Sequence, residues 1–272
     1  MQHESGTLES RLVWQSWRPE SPKAIVLIAH GLAEHSGRYP HVAEALTQAG
    51  YAVFAVDHAG HGQSPGKRGG VYDFNILIEG MLELDRHARV ALPGLPVTLL
   101  GHSMGGLIAA LTALREQDRF KALVLSGPAV IAPDPPPAWQ EAIVRFLARV
   151  APGLGALALD SNEISGDPDV VQAYLDDPLV YNGKVPAGLV VAIFDAMADL
   201  RERARSLELP MLLMHGSEDK LTAPAGSTLV YQEAAATDKT IKMWSGLKHE
   251  IFNEPEQVEV LAEMTEWLDA RH

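Results

Sequence analysis

Continuous apolar runs alternate along this chain with segments whose apolar residues recur at helical spacing. Ala24 to Ala29 (AIVLIA) and Ala52 to Val56 (AVFAV) carry no polar position at all. That is the pattern of strands covered on both faces. Arg11 to Trp17 alternates and predicts an edge strand. Val97 to Leu100, Ala122 to Leu125, Met211 to Met214 and Thr240 to Trp244 predict further strands. Between them, Tyr39 to Ala49 has helical spacing and ends at Gly50, while Ile76 to Leu92 has it and is stopped by Pro93. Glycine just past a helix and proline soon after it are the expected stop signals. Leu107 to Leu114 predicts a helix, another lies near Leu229, and Gln257 to Leu268 predicts the last. Strands and helices that alternate with short links predict a mostly parallel sheet wrapped by helices.

The alternation breaks once. Pro133, Pro135, Pro136 and Pro137 make a stiff link, since each ring fixes its own φ. From about Ala138 to Leu207 there are helical patterns and loops but no buried strand. Residues 130–207 are therefore expected as an insertion over the C-terminal edge of the sheet, where open α/β sheets bind ligands. Residues 1–129 and 208–272 would form the core.

Composition narrows the function. With 272 residues, the chain suits one α/β domain with an inserted subdomain. A net charge of −13 and scattered Lys and Arg provide no basic face, so nucleic acid is not expected as a partner. The absence of cysteine excludes disulfides, thiolate zinc sites and a cysteine nucleophile. The polar opening MQHESGTLES has no basic-then-apolar pattern, so no signal peptide is expected. No window approaches 18 uncharged apolar residues, so no membrane span is expected either, and a cytoplasmic location is the default.

The chemistry concentrates in Val97 to Gly106, VTLLGHSMGG. Ser103 falls in a strand-to-helix turn with almost no loop. It can be a plain helix N-cap, or a nucleophile on a G-x-S-x-G turn whose glycines let two backbones pass closely. A serine hydroxyl needs a base oriented by a third group, and in this architecture the order is Ser, Asp or Glu, then His. His215, His249 and His272 follow the insertion. His249, in GLKHEIF between the last strand and the last helix, sits where a base belongs. The acid is Asp219 or its neighbour Glu218, in HGSEDKLTAP. Asp219 could instead cap a helix near Ala223 and Pro224. Oxyanion donors would be the N–H of Met104, after the serine, and that of Leu32, in the loop HGLAEHSGRY. Asp57, His58 and His61 in DHAGHG look like a metal cluster. They read better as loop braces, and neither metal nor cofactor is needed for serine acyl transfer.

The stretches HGLAEHSGRY, VDHAGHGQSPGKRG, GHSMGG, HGSEDKLTAPAGS and WSGLKHEIFNEP resemble, in order and spacing, the monoacylglycerol lipase family of α/β-hydrolases. The resemblance runs from about Ala24 to Trp267 and includes YLDDPLVYNGKVPAGL, which is similar to the family's cap segment. It implies an α/β-hydrolase fold with a helical cap inserted after the sixth strand. It implies Ser103, Asp219 and His249 as the triad and Leu32 and Met104 at the oxyanion hole. It also implies a polar pocket for a glycerol head, ringed by Glu34, Arg38, His102 and Tyr174. Each of those four has a plainer reading: Glu34 and Arg38 as a pair, His102 as a packed histidine, Tyr174 as part of the cap core. The implied reaction is hydrolysis of a monoacylglycerol to glycerol and fatty acid by a monomer.

Three alternatives stand beside that reaction. The first is another esterase on the same scaffold: a lysophospholipase, a short-chain carboxylesterase or a thioesterase. The second is a haloperoxidase-like side activity. The third is a lipid-binding protein without turnover. Ala142 to Leu159, AIVRFLARVAPGLGALAL, fits a helix facing an acyl tunnel, one touching a membrane surface transiently, or one simply packed.

Overall fold

The computed structural model describes residues 1–272. Eight strands form one sheet: β1 (Gln2–Thr7), β2 (Val13–Arg18), β3 (Ala24–Ala29), β4 (Tyr51–Val56), β5 (Val97–His102), β6 (Ala122–Ser126), β9 (Met211–Gly216) and β10 (Lys239–Trp244). Their order is β1-β2-β4-β3-β5-β6-β9-β10. Pairings from β4 through β10 are parallel, and only β1 with β2 and β2 with β4 are antiparallel. The expected strands are all present. β1 had no sequence signal: it is a solvent-facing edge with a polar sequence, so no apolar alternation marks it. With it, β6 is the sixth strand.

The uninterrupted apolar runs have a simple cause. Ile25, Leu27 and Ala29 of β3 enter one core cluster, and Ala24, Val26 and Ile28 enter another on the opposite face. Helices α1 (Pro40–Gln48) and α8 (Gln257–Asp269) cover the second face. Helices α2 (Asn75–Ala91), α3 (Met104–Arg115) and α7 (Pro224–Glu233) cover the first. All the parallel strands end on the same side of the sheet, and the loops that follow β3, β5, β6, β9 and β10 meet there.

Between β6 and β9 the chain leaves the sheet. It forms α4 (Ala138–Val150), the short strand β7 (Gly155–Leu157), α5 (Pro168–Asp176), the two-residue strand β8 (Val185–Pro186) and α6 (Ala187–Arg203). β7 and β8 pair antiparallel. These pieces differ in how they are held. Leu189, Ile193, Met197 and Leu200 of α6 lie inside the main core cluster, beside α3. None of the residues of α4 is buried. The insertion is thus rooted through α6 and outermost at α4.

Candidate active site

Ser103 sits between β5 and α3 with φ of 57° and ψ of −122°, one of three non-glycine residues with positive φ. It occupies the N-cap position, yet its side chain caps nothing. The plain N-cap reading therefore fails on geometry: the strained turn leaves the hydroxyl free at the sheet edge. Such strain persists only where its surroundings impose it, and it gathers at functional sites. The flanking glycines impose it here. A Cβ on Gly101 would stand 2.2 Å from the Gly105 carbonyl oxygen, and one on Gly105 would stand 2.0 Å from the Ala29 carbonyl oxygen. Gly105→Ala should force α3 away from β3 and destabilise the protein by about 4 kcal/mol or more. A thermal melt of the variant that matches the wild type would contradict this crossing.

The loops after β9 and β10 bring an acid and a base together. His249 Nδ1 lies 2.6 Å from Asp219 Oδ2, and both residues are buried. Asp219 Oδ1 accepts the Leu221 and Thr222 N–H groups at 2.8 and 2.9 Å, and Oδ2 also accepts the Thr222 hydroxyl at 2.9 Å. Burial alone would raise the Asp219 carboxyl. The neighbouring His249 charge and the bonds from His215, His249 and Thr222 outweigh it and hold Asp219 well below the usual carboxylate range. Burial pulls His249 down, but Asp219, then Glu250 and Glu34, prevail and raise it above an ordinary histidine. Asp219 caps no helix, because Ala223 is the N-cap of α7 and receives no side-chain bond. Glu218 is exposed and is not part of this network.

Ser103, His249, Leu32 and Met104 all line one cavity of about 710 Å³. The Ser103 hydroxyl has no hydrogen bond to His249. Such bonds are often long before substrate arrives and tighten in the complex. The Leu32 N–H has no acceptor in the protein. Met104 opens α3, where the first N–H groups have no intrahelical acceptor. The next residue after Leu32, Ala33, has φ of 69°, a second strained position in the same site.

Three of the four residues expected around a polar pocket, Glu34, His102 and Tyr174, do line the cavity. Arg38 does not. Its guanidinium lies behind the wall, in a small secondary cavity with His41 and Asn253. There it forks onto Glu250 at 2.7 and 2.8 Å, reaches Glu34 at 2.9 Å and stacks over the Tyr174 ring at 4.6 Å. Glu34 is likewise occupied internally: Oε1 accepts the Gly31 N–H at 2.6 Å and the Tyr39 hydroxyl at 2.7 Å. The network ties the Leu32 loop to the His249 loop. His102 is pushed down to about 4 by burial and by His249, whose ring is 4.7 Å away, so it stays neutral.

Asp57 behaves as a brace, but the His58 ring nitrogens have no hydrogen-bond partner and the His61 ring bonds only the nearby Ala59 carbonyl, so the brace reading holds for Asp57 and not for the His58 ring. Asp57 accepts the Ser36 N–H and hydroxyl and the Gln63 N–H, while His30 bonds Gly31 O and the His58 N–H. Several site residues carried no readable signal. Glu250 stands next to His249 and could have been suspected from HEIF. Gly216 could not: a Cβ there would stand 2.0 Å from the Lys248 carbonyl oxygen, so it is required where the acid and base loops cross.

Comparison with known proteins agrees with this geometry. The family model Hydrolase_4, described as "Serine aminopeptidase, S33", matches residues 20–256. A monoacylglycerol lipase of Mycolicibacterium smegmatis is 42% identical over 95% of this chain and 92% of its own. The chain belongs to the monoacylglycerol lipase family. The human monoglyceride lipase is 36% identical over 94% of this chain and 86% of its own. The crystal structure of a Paleococcus ferrophilus monoacylglycerol lipase superposes with a TM-score of 0.87 at 33% identity, covering 96% of this chain and 99% of that one. As a member of the monoacylglycerol lipase family, the protein is an α/β-hydrolase and an ester hydrolase acting on lipid esters.

Proposed function

We propose that the protein hydrolyses monoacylglycerols to glycerol and free fatty acid through an acyl-enzyme on Ser103. In this reading His249 takes the Ser103 proton as the hydroxyl attacks the ester carbonyl. The N–H groups of Leu32 and Met104 hold the oxyanion, worth about 3 kcal/mol per donor. His249 then protonates the glycerol oxygen as the C–O bond breaks. The same base activates the water that releases the fatty acid, and Asp219 stabilises the imidazolium throughout. The observation that carries the reading is the free Ser103 hydroxyl in one cavity with an imidazole bonded to a buried carboxylate at 2.6 Å.

The cavity supports a neutral head group. Val144, Ile193, Phe194 and Met197 give it an apolar side for an acyl chain. It offers no cation free of a carboxylate: Arg38 lies outside it on Glu250 and Glu34, and Lys220 is paired with Glu163 at 3.2 Å. A phosphate would meet only Lys220, which already faces Glu163. Mono-oleoylglycerol should be cleaved at least about tenfold faster than oleoyl-lysophosphatidylcholine, with p-nitrophenyl butyrate as a short-ester control. Equal rates on the lysophospholipid would favour a lysophospholipase, and turnover of the short ester alone would leave a small-ester hydrolase.

Residues 130–207 act in this reading as a helical cap over the cavity, and the protein works as a monomer. Trp139, Ile143, Phe146 and Val150 are exposed along one face of α4, whose Gln140 and Val144 line the cavity. No helix of the protein is long and apolar enough to cross a membrane. The α4 face is placed to rest on a lipid surface and receive substrate from it. The double variant Trp139→Ser, Phe146→Ser should lose co-sedimentation with phosphatidylcholine vesicles while cleaving a dissolved short ester normally.

A further inference from the structure

His215 is the second-last residue of β9, the strand between β6 and β10, and is wholly buried. Its Nε2 lies 3.0 Å from Asp219 Oδ2 and 3.1 Å from the Thr222 carbonyl oxygen. Its Nδ1 lies 2.8 Å from the Ser227 hydroxyl oxygen. A carboxylate and a carbonyl only accept, so Nε2 carries the proton. Nδ1 then accepts from Ser227, whose hydroxyl can donate. Asp219 Oδ2 is therefore shared by two imidazoles, His249 on the cavity side and His215 on the sheet side. No step in the proposed mechanism uses the second.

We propose that His215 is a positioning residue for the hydrolysis. Through its Nε2–H, which bonds the Thr222 carbonyl at 3.1 Å and stands 3.0 Å from Asp219 Oδ2, it steadies the Asp219 carboxylate and weakens that carboxylate's hold on the His249 proton. The inference rests on the reading of Asp219 and His249 as acid and base. The two imidazoles compete for one oxygen. A donor on Oδ2 withdraws part of the charge that stabilises the His249 imidazolium. His215 thus favours the neutral His249 that can take the Ser103 proton. The other charged or titratable groups facing His249 are His102 at the end of β5, Glu34 after β3 and Glu250 beside it, with Arg38 behind those two carboxylates. None of them bonds Asp219. His215 is also anchored at its far nitrogen, so its donor direction is set by α7 through Ser227.

The test compares His215→Phe, which keeps a ring and removes the donor, with His215→Gln, whose amide retains an N–H. In His215→Phe, kcat should fall about tenfold with KM little changed, the loss expected of one charge-assisted bond. The acid limb of kcat/KM should move up by about half a pH unit. His215→Gln should restore both to within about twofold. An unmoved or lowered acid limb in the phenylalanine variant, or a glutamine variant that fails to restore it, overturns the inference. Nitrogen-15 NMR of the wild-type protein tests it without any variant: a proton on His215 Nε2 is expected, and one on Nδ1 overturns it. Asp219→Asn separates the two readings. If that variant keeps full activity, the acid–base reading itself fails. If it is inactive while His215→Phe keeps the wild-type profile, only the inference fails.

Discussion

Ser103→Ala is expected to lower kcat on mono-oleoylglycerol by about a million-fold, the loss seen when the nucleophile of a triad is removed. Nothing else in the cavity can replace the hydroxyl. Thr222 also lines the cavity, but its hydroxyl lies 2.9 Å from both Asp219 Oδ2 and the Gly127 carbonyl oxygen. The fold should survive, because the Ser103 side chain makes no bond that the turn needs. Alanine meets the same positive φ as serine, so the strain is neither added nor relieved. The variant should therefore melt like the wild type while a fluorophosphonate no longer labels it. Labelling that persisted in the alanine variant would place the nucleophile elsewhere and end the proposed mechanism. It would also revive a lipid carrier that has no turnover.

Asp219→Asn should cost about ten-thousand-fold in kcat, the loss that follows when the orienting carboxylate becomes an amide. The amide keeps the shape but removes the charge and turns an acceptor into a donor, which favours the wrong His249 tautomer. His249 is raised by the negative Asp219 beside it. With that charge gone, burial is opposed only by Glu250 and Glu34, and the acid limb of the residual activity should move to lower pH. The sign follows from which form is catalytic. In the proposed mechanism neutral His249 is the base, a raised pKa means protonation at higher pH, and so removing the raising charge extends activity toward acid. Hydroxylamine rescue is not expected, because it can replace only the water of deacylation, and acylation needs the same imidazole. A profile of unchanged shape with a loss below about tenfold would assign Asp219 to a structural role.

Sequence and structure agree wherever a periodic pattern or a spaced motif exists. AIVLIA and GHSMGG were legible because burial on two faces and a tight crossing each leave a compositional mark. β1 left none, since an exposed edge needs no apolar side chains. The surroundings of Asp219 left none either. His215 reads as the end of a buried strand, and only the three-dimensional return of Asp219 over the strand end makes it a partner. Arg38 shows the converse. A resemblance put it at the substrate pocket, and the structure turns it onto Glu250. Glu250 lies 212 positions away in the chain. Long-range pairing of that kind depends on how loops meet, which local periodicity does not encode.

The insertion's two unequal ends have a consequence for how such a protein changes over generations. α6 shares its apolar residues with the main core, so replacing them costs folding free energy. No residue of α4 is fully buried, yet Gln140 and Val144 look into the cavity. Selection can therefore rewrite α4 almost freely, trying new substrates at little risk to the scaffold, while the root stays constrained. Diversity among descendants of this chain should accumulate in the outer helix first.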